Sequence, residues 1–168
     1  MTQNKIWLSS PHMGGTEQNY IQEAFDTAPL GPNVNGFEQD IESYLEANVH
    51  IGALSSGTVA IHLGLILLGV QAGDEVICQT MTFSASANPI LYVGATPVFI
   101  DSEEETWNLC PLALEAAIID RIQKGKKPKA IITAHLYGVP YQIEVVRAIA
   151  NTYDIPVLED AASALGST

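Results

Sequence analysis

The chain has 168 residues, 47% of them hydrophobic and 15% charged, with 7 basic against 19 acidic side chains and a formal net charge of −12. That length is about one domain with a real core, and the composition excludes disorder over most of it. The acidic balance excludes nucleic acid and an anionic membrane as main partners, since both need a cationic face, but leaves room for one local phosphate pocket.

The chain opens on a loop, Ser9 to Gly15. Residues Thr16 to Thr27 follow as a helix, with Tyr20, Ile21, Ala24 and Phe25 on one face, ended by Pro29, Gly31 and Pro32. A second helix is expected from about Val34 to Ala47, with Phe37, Ile41, Tyr44 and Leu45 at helical spacing. Residues 1–48 thus read as an amino-terminal helical segment, and residues 49–168 as an α/β part.

From there the pattern alternates. β-prone runs are expected at Val49–Leu54, Glu75–Gln79, Thr96–Ile100, Ala130–Thr133 and Pro156–Leu158. Helical patterns lie between them at Thr58–Leu68, Ser84–Tyr92, Pro111–Gln123 and Tyr141–Tyr153, with Gly69 and Gly94 as stops. The apolar stretch Val59 to Val70 is too short for a membrane span and reads as a buried helix. Strand and helix in this rhythm imply right-handed crossovers and a mainly parallel sheet with helices on both faces. Ligands of such sheets bind beyond the carboxyl ends of the strands.

Most polar groups able to do chemistry fall just there. Ser55-Ser56-Gly57-Thr58 opens a helix, where unpaired N–H groups, hydroxyls and the helix dipole suit a phosphate; the same residues also make a plain N-cap. The segment is neither a Walker loop nor Gly-x-Gly-x-x-Gly. Phe83 stands between a strand and a helix, placed to stack on a planar ligand or to fill the core. Glu159 and Asp160 end a strand on opposite faces, so they do not form a general acid/base pair on one substrate. Asp160 suits a cationic ring nitrogen or a helix cap. His135 is either an acid/base group or a structural histidine.

Other features point away from specialised chemistry. Lys124 to Lys129 form a basic loop between helix and strand, and Asp101 to Glu105 an acidic one; both read as solvated. Cys78 and Cys110 read as reduced thiols of a cytoplasmic protein, and the histidines have no metal-ligand spacing. The N-terminus lacks a basic start before an apolar block, so no signal peptide is expected.

Five ordered motifs carry a family resemblance. They are Ala53 to Leu63, Thr82-Phe83-Ser84-Ala85-Ser86-Ala87-Asn88, Pro97 to Asp101, His135-Leu136-Tyr137-Gly138, and Glu159-Asp160-Ala161-Ala162. Together they resemble the DegT/DnrJ/EryC1/StrS sugar aminotransferases, fold-type I pyridoxal-phosphate enzymes. The opening Ser10 to Gly15, with Ala28-Pro29-Leu30-Gly31, is most similar to the subgroup that aminates C4 of a UDP-linked 4-keto-6-deoxy-N-acetylglucosamine.

The resemblance implies that Ser56, Gly57 and Thr58 hold the phosphate of pyridoxal 5'-phosphate. It implies that Phe83 stacks on the pyridine ring and that Asp160 pairs with the ring nitrogen. The family usually carries Gln, His or Glu three residues after that aspartate, against the ring hydroxyl; here Ser163 stands there, shorter and expected to reach through a water. The substrates implied are a UDP-linked keto-sugar and an amino-acid donor, with glutamate expected. The implied assembly is a homodimer in the cytoplasm.

The family's Schiff-base lysine lies downstream of the aspartate motif, and none of Lys5, Lys124, Lys126, Lys127 and Lys129 matches it. The resemblance therefore implies the amino-terminal part of a large domain, inactive by itself. The alternatives are a non-catalytic phospho-ligand-binding α/β module, and a dehydratase or regulator of the same cofactor family.

Overall fold

The computed structural model describes residues 12–27, 32–46 and 48–167. The expected turn at Pro29 and Gly31, the loop start at Ser9, the helix end at Ala47, and Lys5 lie outside them. The chain divides into two compact units, Met1–Ala53 and Leu54–Thr168.

The first unit holds α1 (Glu17–Asp26) and α2 (Pro32–Leu45), neither of which buries a residue. The strand expected at Val49–Leu54 does not form: residues 49–54 have no regular structure. The backbone donors there go to side chains of α2 instead. Glu42 accepts from the Ile51 N–H at 3.0 Å and Glu38 from the Ala53 N–H at 2.7 Å. A donor spent on a carboxylate is not available to a sheet ladder.

The second unit alternates helix and strand. Its order is α3 (Gly57–Leu67), β1 (Glu75–Gln79), α4 (Ser84–Tyr92), β2 (Thr96–Ile100), α5 (Pro111–Gln123), β3 (Ala130–Ala134), a 3-10 turn (Leu136–Gly138), α6 (Ile143–Thr152) and β4 (Val157–Asp160). The strands lie in the order β2-β1-β3-β4 and every pair is parallel. The central strands β1 and β3 are buried at every residue, which is why they read as apolar runs with little alternation.

Alternate residues of those strands feed two cores. Val76, Cys78, Ala130 and Ile132 pack with Ile61 and Leu65 of α3 and Ile90 of α4. Ile77 and Ile131 pack with Leu114 and Ile118 of α5 and Val146 and Ala150 of α6. Helices therefore cover both faces, as expected for a parallel sheet.

The reading of Val59–Val70 as a buried helix needs correction. Of α3 only Ile61 and Leu65 are buried, while Val59, Leu63, Ile66 and Leu67 are exposed. One helix presents one stripe to a sheet, so apolar residues all round leave an apolar outer face. The helix comes close to β4 because Gly64 has no side chain: a Cβ there would meet Leu158 at 3.0 Å. Gly69 and Gly94 end α3 and α4 with φ of +70° and +76°, as the sequence predicts.

Charged groups gather at the amino edge of the sheet. Glu75, buried at the start of β1, takes two hydrogen bonds from Arg121 of α5, at 2.6 and 2.7 Å. Lys126 lies 3.8 Å from the same carboxylate, Lys124 pairs with Asp120, and the Lys129 N–H donates to the Glu75 carbonyl. The basic loop is thus an ion-paired surface of the fold.

Candidate active site

A cleft of about 280 Å³ opens at the carboxyl ends of β1, β3 and β4. Met81, Thr82 and Phe83 line it from the segment after β1, Ala134 to Tyr137 from the end of β3, and Asp160, Ala162 and Ser163 from the end of β4. Parallel strands bring these three segments together because each must turn away at the same edge.

Phe83 directly precedes α4 in extended backbone, with its side chain 78% exposed. It is therefore not a core phenylalanine. An exposed ring at this edge is free to cover a flat ligand.

Asp160 is half-buried and held from two sides. The Ser86 hydroxyl donates to its Oδ2 at 2.6 Å, and the Ala162 N–H approaches Oδ1 at 3.3 Å. The Thr82 and Ser86 hydroxyls lie 2.7 Å apart. Below the acid, Cys78 is fully buried, and its thiol is pushed up to about 12, by burial first and by the Asp160 charge second. Cys78 is a neutral filler of the core at ordinary pH.

Glu159 faces the other side of the sheet. Its Oε1 accepts from the Tyr141 hydroxyl at 2.8 Å, and Arg147 stands 3.4 Å away. Burial, chiefly, pushes the Tyr141 phenol up to about 12. The two adjacent carboxylates thus serve different faces, as strand geometry requires.

His135 joins these layers. It is buried, its Nε2 is 3.5 Å from Glu159 Oε2, and its ring packs on Tyr141 with centroids 4.9 Å apart. Its backbone N–H donates to the Asp160 carbonyl at 3.1 Å, and Nδ1 is buried without a partner among the described residues. His135 is a wall of the cleft anchored to the sheet.

Ser56, Gly57 and Thr58 are not among the residues lining this cleft. They start α3, where the Ser56 hydroxyl accepts from the Val59 N–H at 3.3 Å as a plain N-cap. The Gly57 and Thr58 N–H groups find no acceptor among the described residues, and a Cβ on Gly57 would meet nothing within 4 Å. Seven residues connect α3 to the amino end of β1, so the other end of α3 points to the carboxyl edge, where the cleft is.

Three side chains that shape the rim receive no role from the motifs. Gln79, fully buried, accepts from the Ala134 N–H at 2.9 Å and donates to the Met81 carbonyl at 2.7 Å. Asn108, also fully buried, accepts from the Leu136 N–H at 2.9 Å and donates to the Val139 carbonyl at 3.0 Å. Ser86 is the third. For Gln79 a signal exists: a lone amide closing the apolar run Val76-Ile77-Cys78 must find partners inside. Between the two Asn108 contacts, Tyr137 takes the left-handed conformation at φ +52°.

A family profile described as the DegT/DnrJ/EryC1/StrS aminotransferase family matches residues 11–168. The "Putative pyridoxal phosphate-dependent aminotransferase EpsN" of Bacillus subtilis (strain 168) is 50% identical over 166 residues, covering 97% of this chain and 42% of that protein. GDP-perosamine synthase of Escherichia coli O157:H7 is 38% identical, covering 96% of this chain and 43% of its own length. The crystal structure of S. venezuelae DesV in complex with a ketimine intermediate superposes with a TM-score of 0.80 at 34% identity, over 89% of this chain and 39% of that one. The chain spans about two fifths of the length of the curated relatives it matches.

Proposed function

Because the chain belongs to the DegT/DnrJ/EryC1/StrS aminotransferase family, we propose that its carboxyl-edge cleft binds pyridoxal 5'-phosphate for amino transfer to a nucleotide-linked sugar. The observation that carries this reading is one cleft lined by an exposed aromatic ring, Phe83, and a half-buried carboxylate, Asp160, with an open helix N-terminus at the same edge.

The residues present fit the cofactor. Among the described residues, Asp160 is the only acid lining the cleft, and its Oδ1 has only the long contact to Ala162. A carboxylate so placed holds a proton on a ring nitrogen through a charge-assisted hydrogen bond. Phe83 covers the ring face. The Gly57 and Thr58 N–H groups take the phosphate, aided by the α3 dipole, while Ser56 keeps the cap in shape. Ser163, exposed beside Asp160, is the group nearest in sequence for the ring hydroxyl, through a water. When bound, the cofactor supplies the electron sink through which an amino group passes from donor to acceptor.

The substrates proposed are glutamate as donor and a UDP-linked 4-keto-6-deoxy sugar as acceptor, with a cytoplasmic homodimer as the working form. The chain is proposed to be the amino-terminal part of a fold-type I large domain. Its described lysines, Lys124, Lys126, Lys127 and Lys129, lie at the amino edge, opposite the cleft. For these 168 residues alone we therefore propose cofactor binding without turnover.

Fluorescence titration with pyridoxamine 5'-phosphate tests the site. Asp160→Asn is expected to weaken binding about tenfold or more, since a charge-assisted bond becomes a neutral one. Incubating the whole protein with cofactor, glutamate and a UDP-4-keto sugar tests the reaction. Absence of any amino-sugar product from such substrates sinks it.

A further inference from the structure

We propose that Ser86 is a positioning residue that sets the orientation of Asp160 toward the cofactor's ring nitrogen, and that Thr82 fixes the direction of its proton. The inference rests on the reading of Asp160 given above.

The chain of donors has one solution. An ionised carboxylate only accepts, so the Ser86 hydroxyl spends its single proton on Asp160 Oδ2, at 2.6 Å. Ser86 is fully buried, and its oxygen still needs a donor. Thr82, 2.7 Å away, supplies it. The order of donation is therefore Thr82 to Ser86 to Asp160.

This order has a geometric effect. The terminal torsion of an aspartate is broad, so a carboxylate at a cleft wall has no preferred plane of its own. A short bond to Oδ2 sets that plane and leaves Oδ1 with the greater unspent capacity. A hydroxyl bonded to a charged acceptor is also a stronger tether than a neutral pair.

The tether links the acid to the aromatic ring. Thr82 directly precedes Phe83, the residue that caps α4, and Ser86 lies on the first turn of α4, where its N–H donates to the Phe83 carbonyl at 3.0 Å. Asp160 ends β4, 74 residues further along the chain. One buried hydroxyl thus joins the strand that carries the acid to the helix start that carries the stacking ring. Neither role follows from Ser86 as a plain helix residue, because serine in a helix interior ordinarily faces solvent or bonds its own backbone.

The test uses the full chain and two ligands: pyridoxamine 5'-phosphate, and the analogue in which carbon replaces the ring nitrogen. Their Kd ratio reads what the site gains from the ring nitrogen, where Asp160 is the proposed partner. The unmodified chain is expected to prefer the nitrogen ligand by about tenfold or more. Ser86→Ala is expected to bring that preference to within about threefold while leaving the carbon analogue's Kd in place, and Ser86→Thr to keep it. If Ser86→Ala does not fold, Ser86→Cys, of similar volume and weaker donor power, is read in its place with the same expectation. A ratio unchanged in Ser86→Ala, or equal weakening of both ligands, overturns the proposal. No preference in the unmodified chain instead removes the contact between Asp160 and the ring nitrogen, and the inference falls with that reading.

Discussion

Gly138 shows how narrowly single residues set the rim. Its φ is +84°, and a Cβ would meet the Ser163 carbonyl oxygen at 2.6 Å. Gly138→Ala must therefore both strain the backbone and push the His135–Val139 turn from the segment that carries Ser163. We expect a loss of more than about 1 kcal/mol of stability, together with weaker pyridoxamine 5'-phosphate binding; a urea denaturation curve and the fluorescence titration check the two parts. At this scale the sequence is legible where a residue's role follows from its place in a motif. Phe83 follows β1 and Asp160 ends β4, and the structure lines one cleft with both. Ser86, Asn108 and Gln79 are not legible in that way, because their partners lie 74, 28 and 55 residues away. A hydroxyl or amide has no periodicity that announces a distant partner.

Elements were easier to read when punctuation and periodicity agreed. Gly69 and Gly94, expected as stops, follow α3 and α4 with positive φ. Val49–Leu54 fails for a reason that propensity does not contain: glutamates of α2 capture its N–H groups. The join between β1 and α5 yields a sharper test. Arg121→Met leaves the buried Glu75 carboxylate with Lys126 at 3.8 Å as its remaining ion-pair partner among the described residues. We expect the melting temperature to fall by about 5 °C or more, because a buried charge without its partner is costly. The double replacement Glu75→Met with Arg121→Met is expected to recover most of that loss, since apolar contacts often substitute for a buried pair. If the double variant is no better than the single one, hydrogen-bonding geometry rather than an unpaired charge is the cause.

For the molecule as a whole, two buried acids of high ordinary pKa tie stability to alkaline pH. Burial raises the Cys78 thiol from 9.0 to about 12, and the Tyr141 phenol from 10.0 to about 12. Both groups are neutral when protonated, so the unfolded chain loses those protons first as pH rises. The stability they contribute is complete below pH 9 and is lost between about pH 9 and 12. Urea midpoints measured from pH 7 to pH 10.5 are expected to hold level to about pH 9 and then fall, with a shallower fall in Cys78→Ala. A flat profile to pH 10.5 would contradict the burial of both groups. The parallel sense of the sheet is legible at this scale, since alternating elements leave a parallel arrangement as the economical solution, whereas the strand order β2-β1-β3-β4 is not. The apolar outer face of α3 was not, because a run that is hydrophobic all round gives no sign of which stripe meets the sheet.

The exposed lysines of the loop beside Glu75 and the carboxylate of Asp160 stand at opposite ends of strands about 17 Å long, at roughly 3.3 Å per residue. That span exceeds the roughly 10 Å over which dissolved salt at 0.1 M lets exposed charges sense one another. Recoding the lysine loop, for solubility or for attachment to a surface, therefore leaves the voltage felt by a guest at the far rim nearly untouched. The fold in this way lets the charge of one end be rewritten without retuning the other.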